Sequence, residues 1–126
     1  MIEPINAPDA PPASGGYAQS VRVSGIAELV FVSGQIPVDT DGGVPATFGE
    51  QCRLVWHNVE AQLAAAGMGL ANLVNVTTFL SDRRDREENS AIRQEMLVGL
   101  TPTLTVIVCD IYDERWLLEI EVVAAK

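Results

Sequence analysis

Residues 103–109 read Thr-Leu-Thr-Val-Ile-Val-Cys, with apolar side chains at both odd and even positions. A strand of that pattern expects cover on both faces. Only two helical stretches are legible in the chain, and two helices on one side of a sheet leave the other side bare. One copy cannot satisfy its own strands, so the pattern predicts an oligomer whose sheets pack together. The order of elements is ββ-α-β-α-ββ. It implies an α/β fold, with a mixed sheet carrying both helices on one face.

Charge narrows the classes. Asp and Glu number 17 against 8 Lys and Arg, a formal charge of −9, although 48% of residues are hydrophobic. That hydrophobic content disfavours disorder. The acidity disfavours a general nucleic-acid binder, because such affinity rests on neutralising phosphates. No stretch approaches the ~20 apolar residues of a membrane span. The first basic side chain is Arg22, so a secretory signal is not expected and a cytoplasmic protein is. Cys52 and Cys109 read as buried free thiols, and His57 as an exposed helical residue. With one histidine and no CxxC, no metal site is expected.

The 126 residues read as one domain, with 1–14 an extended arm carrying Pro4, Pro8, Pro11 and Pro12. Strands are expected at 18–23 and 29–33, joined by a turn containing Gly25. Thr47 and Glu50 fit a capping box, and Phe48, Cys52, Val55, Trp56, Val59, Leu63 and Ala66 form an apolar stripe. A helix over 47–66 follows, with Gly67 as its C-cap. Residues 73–80 predict a strand. Residues 82–97 predict a helix with Ala91, Ile92 and Met96 on one side, opened by a solvated, nearly charge-balanced run from Asp82 to Glu88. Strands at 103–109 and 116–124 complete the chain.

Polar residues inside apolar strands are the candidates for chemistry. Ser33-Gly34-Gln35 ends a strand, where a hydroxyl and free backbone can meet a ligand; the same residues could simply terminate the strand. Glu119 and Glu121 share one face, opposite Leu118, Ile120 and Val122. They could be solvated glutamates of an edge strand. If helices cover the aliphatic face, both carboxylates instead point to the oligomer side. Desolvation there raises a carboxyl pKa toward neutrality and suits it to proton transfer. Tyr17, at the end of the Pro/Gly arm, reads as either a cleft lid or a packing anchor.

Several segments together resemble the RidA/YjgF/L-PSP family of reactive-intermediate deaminases. They are Gly16-Tyr17 with Gln19, the run 31–38 (Phe-Val-Ser-Gly-Gln-Ile-Pro-Val), Asn58-Val59, Ala65-Ala66-Gly67, the strand 76–80, Asn89, Pro102, and Glu119-Ile120-Glu121. The resemblance implies a chorismate-mutase-like fold and a homotrimer with clefts between neighbouring subunits. It implies hydrolysis of enamines and imines to 2-oxo acids and ammonia. Tyr17, Ser33, Gly34 and Asn89 would line the cleft, and Glu119 would activate the attacking water. No metal or organic cofactor is implied, because an imine carbon is already electrophilic.

One departure stands out. Deaminating members carry an arginine two residues after the proline, which grips the substrate carboxylate. Here that position is Leu104, and the family's frequent cysteine two residues on is Val106. A charge-assisted hydrogen bond contributes ~1.5–3 kcal/mol, and burying a carboxylate without its partner costs about 3–5 kcal/mol. Efficient turnover of amino-acid-derived imines is therefore not expected unless another arginine, such as Arg115 or one from a neighbour, takes over. Two further readings follow: a trimer that binds a small hydrophobic metabolite without chemistry, and, disfavoured by the charge, an endoribonuclease.

Overall fold

The computed structural model describes all of residues 1–126. Its elements in chain order are β1 (Ile2–Ile5), β2 (Ser20–Val23), β3 (Leu29–Gln35), α1 (Phe48–Ala65), β4 (Leu73–Leu80), α2 (Arg86–Met96), β5 (Thr103–Val108) and β6 (Leu118–Ala125). The main sheet has the order β3-β6-β4-β5. Only β4 and β5 are parallel, because α2 carries the crossover between them. The mixed sheet and two helices are those of the expected chorismate-mutase-like fold.

The N-terminal third differs from expectation. The two strands flanking Gly25 do not pair with one another. β2 pairs with β1, which lies inside the arm read as merely extended, and β3 pairs with β6. Pro4 is tolerated in β1 because a two-stranded ribbon has a free edge on which a missing N–H costs nothing. Past the arm, the amide of Ala18 donates to Pro102 O at 3.0 Å, which docks Tyr17 beside the start of β5.

Helix α1 forms as its stripe predicts. Thr47 caps it, its hydroxyl accepting from Glu50 N and donating to the Glu50 carboxylate at 2.7 Å. Gly67, at φ +71°, closes it in a Schellman turn, with Gly67 N donating to Ala64 O and Met68 N to Leu63 O. Cys52, Val55, Trp56, Val59 and Leu63 are fully buried against Val76, Leu80, Leu118, Ile120 and Val122.

Helix α2 turns differently from the expected face. Ala91 is exposed, and the inward residues are Asn89, Ile92 and Arg93, with Met96 half-buried. The spacing 89, 92, 93, 96 is as helical as the apolar reading, but two of its four positions are polar. The expected start at Asp82 is a single 3-10 turn (Arg83–Asp85), capped where Asp82 accepts from Arg84 N at 2.9 Å.

The sheet face away from the helices is open. Phe31 is 75% exposed and Leu29 52%. On the edge strand β5, Ile107 is exposed on this same face and Val106 and Val108 on the opposite, helix-facing one.

Candidate active site

Strand pairing decides which candidates can meet. Glu119 lies opposite Phe79 and Glu121 opposite Thr77, on the open face, while Leu118, Ile120 and Val122 point into the core. The carboxylates therefore lie where alternation put them. Between Val32↔Val122 and Gln35↔Ile120, Ser33 and Gly34 together oppose the single residue Glu121. That is a β-bulge, a device that re-aims side chains next to functional sites. Its consequence is a close seat for Glu119. A Cβ at Gly34 would collide with the Glu119 carboxylate and stand 2.8 Å from its carboxyl carbon. Partial burial, reinforced by neighbouring Glu121, holds the Glu119 carboxyl above its ordinary pKa.

Two amides on α1 hold this corner in place, and sequence reasoning missed one of them. Gln51, buried in the first turn of α1, donates to Pro45 O and Arg115 O and accepts from Leu117 N, all at 2.8–2.9 Å. It thus fixes the segment that leads into Glu119. Asn58 donates to Ile36 O and Val38 O, fixing the segment that leaves the bulge.

The remaining candidates form a second cluster on the other side of the sheet. Leu104 and Val106, two apart on β5, share a face, and it is the helix face, aligned with Val76 and Thr78 of β4. Val106 lines a cavity of about 370 Å³ between β5 and α2, together with Leu80, Val108, Asn89, Arg83, Arg86 and Arg93. Leu104 is partly buried against the core and does not line it. Asn89 is buried, its Oδ1 3.9 Å from Cys52 Sγ. Tyr17 lies over the same helix: its hydroxyl is 3.4 Å from Ser14 Oγ, a contact that lowers its pKa, with nearby Arg93 adding to the effect.

Ser33, Gly34 and Glu119 thus lie together at the bulge, and Tyr17, Asn89 and Val106 on the helix side, with the sheet between the two groups. Arg115 belongs to neither. It forms a two-pronged pair with Asp113 at 2.8 and 3.1 Å and borders a different cavity. Arg83, Arg86 and Arg93 are the residues that sequence reasoning passed over. Arg83 and Arg86 lay within a run read as solvated, and Arg93 lay outside the expected side of Ala91, Ile92 and Met96.

The family model for "Endoribonuclease L-PSP" matches residues 7–126. The chain belongs to the RidA/YjgF/L-PSP family. A RutC family protein of Pyrococcus horikoshii is 30% identical over 128 residues, covering 100% of this chain and 99% of its own. TdcF of Escherichia coli, whose name assigns it provisionally to the reactive intermediate deaminases, is 38% identical over 86 residues, 68% of this chain and 64% of its own. Among solved structures, a Rid family protein of Yersinia pestis superposes with a TM-score of 0.87 at 20% identity, covering 99% of this chain and 98% of its own, which shows the shared fold. Yeast Mmf1 superposes with a TM-score of 0.75 at 28% identity, covering 100% and 99%. No helix of this family member is long and apolar enough to cross a membrane. The relative mmf2 of Schizosaccharomyces pombe is named as mitochondrial, so membership does not fix the compartment.

Proposed function

We propose that this protein is a homotrimeric, cofactor-independent deaminase that hydrolyses reactive enamines or imines in clefts between subunits. The observation that carries the reading is the Glu119 carboxylate, partly desolvated and seated on the Gly34 bulge. A carboxyl of raised pKa can take a proton from water as that water attacks an imine carbon, then return it to the leaving amine. Ser33 and Gly34 shape that half of the cleft, and Tyr17, Asn89 and Val106 of the adjacent subunit shape the other. The bare apolar face at Leu29 and Phe31 supports assembly, because exposed apolar surface of that kind marks an interface. Leu104, half-buried where relatives carry arginine, removes the usual strand grip on a substrate carboxylate, so the substrate is held differently from that of the usual deaminases.

The test follows ammonia release from oxidase-generated imines in wild type, Glu119→Ala and Leu104→Arg. Release by wild type that falls at least ~100-fold in Glu119→Ala supports the reading, the size expected of a lost general base. Silence in all three refutes it and favours a binder without chemistry. RNA cleavage that survives in Glu119→Ala, in nuclease-free preparations, would point to the ribonuclease reading instead.

A further inference from the structure

The cavity between α2 and β5 is positively charged in a chain that is otherwise acidic. Three of its seven arginines, Arg83, Arg86 and Arg93, line that one cavity. None of the three takes part in any ion pair of the structure. Arg83 and Arg86 are exposed at the rim, but Arg93 is only 6% exposed. Its Nη2 donates to Ser90 Oγ at 3.2 Å, and its Nε is buried with no partner at all. A guanidinium offers five donors in a rigid fork, and burying it with no anionic acceptor and an unpaired Nε–H is costly. The site is built for an acceptor that the chain does not itself supply.

The surroundings say what kind. Arg86, Asn89 and Arg93 fall at i, i+3 and i+7, so one face of α2 presents two guanidiniums and an amide to the cavity. Opposite them Leu80, Val106 and Val108 form an apolar wall. Tyr17 lies close enough to Arg93 for each charge to be felt by the other. A volume of about 370 Å³ suits a small metabolite and not a polymer. The polar side fits a carboxylate, which accepts a guanidinium fork in bidentate fashion. The apolar side fits a short aliphatic chain.

We propose that Arg93 is the anion anchor of the cleft, holding the carboxylate of a small aliphatic 2-imino acid from helix α2, in place of the strand arginine that Leu104 replaces. This rests on the deaminase reading and deepens it. The substrate keeps its carboxylate, but the anion is gripped from the helix and the aliphatic chain lies on Val106 and Val108.

Isothermal titration with 2-oxobutanoate and its neutral amide, 2-oxobutanamide, tests the anchor without needing turnover. Wild type should bind the carboxylate more tightly than the amide. Arg93→Met should weaken the carboxylate about 10- to 100-fold and leave the amide unchanged. Arg93→Lys should fall between, since it keeps the charge and loses the fork. In wild type, the Arg93 Nε–H resonance should shift as 2-oxobutanoate is added, a readout that survives if Arg93→Met does not fold. An unchanged carboxylate affinity in Arg93→Met, or an Nε–H resonance that does not move, overturns the proposal. So does an Arg93→Met protein that loses its oligomeric state yet keeps its carboxylate affinity, because the missing acceptor would then be a carboxylate of a neighbouring subunit. If carboxylate binding depends on Arg93 while no imine is hydrolysed, the anchor stands and the deaminase reading fails.

Discussion

If the protein assembles as the proposed trimer, truncating Phe31 should dissociate it without unfolding its subunits. Phe31 projects from the open face with 75% of its surface exposed in the single subunit, beside Val123 and Glu121. Burying a phenylalanine fully contributes about 1.5–3 kcal/mol. Phe31→Ala should therefore cost assembly about 2 kcal/mol per subunit, and about 6 kcal/mol over three copies. At 1.4 kcal/mol per tenfold, that is roughly four powers of ten in the trimer association constant. The midpoint concentration of a monomer–trimer equilibrium follows the square root, so it should rise about 100-fold. Sedimentation velocity over a dilution series measures that midpoint, with His57→Ala, on the exposed side of α1, as a control that should not move it. On the proposed reading activity should fall in step with dissociation, because Glu119 and Asn89 lie on opposite sides of one sheet and only a neighbouring subunit can bring the two sides together. A wild type that sediments as a monomer at tens of micromolar refutes the argument. A Phe31→Ala protein with the same midpoint, or one that stays fully active as a monomer, does so too.

Five other expectations can be measured separately. Gly34→Ala should preserve the fold, since Gly34 does not have positive φ, yet push the Glu119 carboxylate off its seat; circular dichroism should be unchanged while ammonia release drops at least tenfold. Because burial and Glu121 raise the Glu119 pKa, the folded state loses stability as pH climbs through that pKa, and Glu119→Gln should melt higher than wild type at pH 8 but not at pH 4. The same cause places the rising limb of the pH–rate profile above the ordinary glutamate range, and Glu121→Gln should move it down. Gln51→Leu leaves two carbonyls and an amide without partners, so it should destabilise the protein by about 2–4 kcal/mol in urea unfolding. Burial pushes the Cys52 thiol up to about 12, so alkylating reagents should label Cys109 in the native protein and reach Cys52 only after unfolding.

The parts of the fold legible in the sequence are those in which one physical pattern dominates. Helix α1 carries an uninterrupted stripe and two caps, and its observed bounds follow directly. Glu119 and Glu121 alternate with aliphatic residues, so their shared face was visible as soon as the strand was. β1 was hidden because Ile2, Glu3, Pro4 and Ile5 hold too few residues for a period, and their partner β2 lies 15 positions or more away. The bulge at Ser33-Gly34 was hidden for a similar reason: an extra residue shows only against the register of β6. α2 was misread by its period. Ala91, Ile92 and Met96 were expected on the inward side, but the helix turns Asn89 and Arg93 inward with Ile92, and hydrophobicity alone cannot distinguish a buried arginine from a solvated one.

The misread face of α2 also changes what Leu104 means. Taken alone, leucine where the family resemblance implies an arginine would leave the strand without a carboxylate grip and predicts a poor substrate or none. Taken with Arg93, it has a second consequence. An arginine at 104 would extend from the same strand face as Val106, bringing a further guanidinium toward a cavity that already holds three. Like charges in a partly desolvated space repel, so strand and helix arginines compete for one role. Leu104→Arg in the wild-type background should therefore gain little affinity for 2-oxobutanoate and lose stability. The same substitution in Arg93→Met should restore much of the binding that Arg93→Met removes. A double-mutant cycle on the 2-oxobutanoate affinity measures that compensation, which should appear as a coupling of at least ~1 kcal/mol. Strict additivity of the two substitutions would mean that the two positions serve different ends, and that leucine at 104 is no compensation for an arginine on the helix.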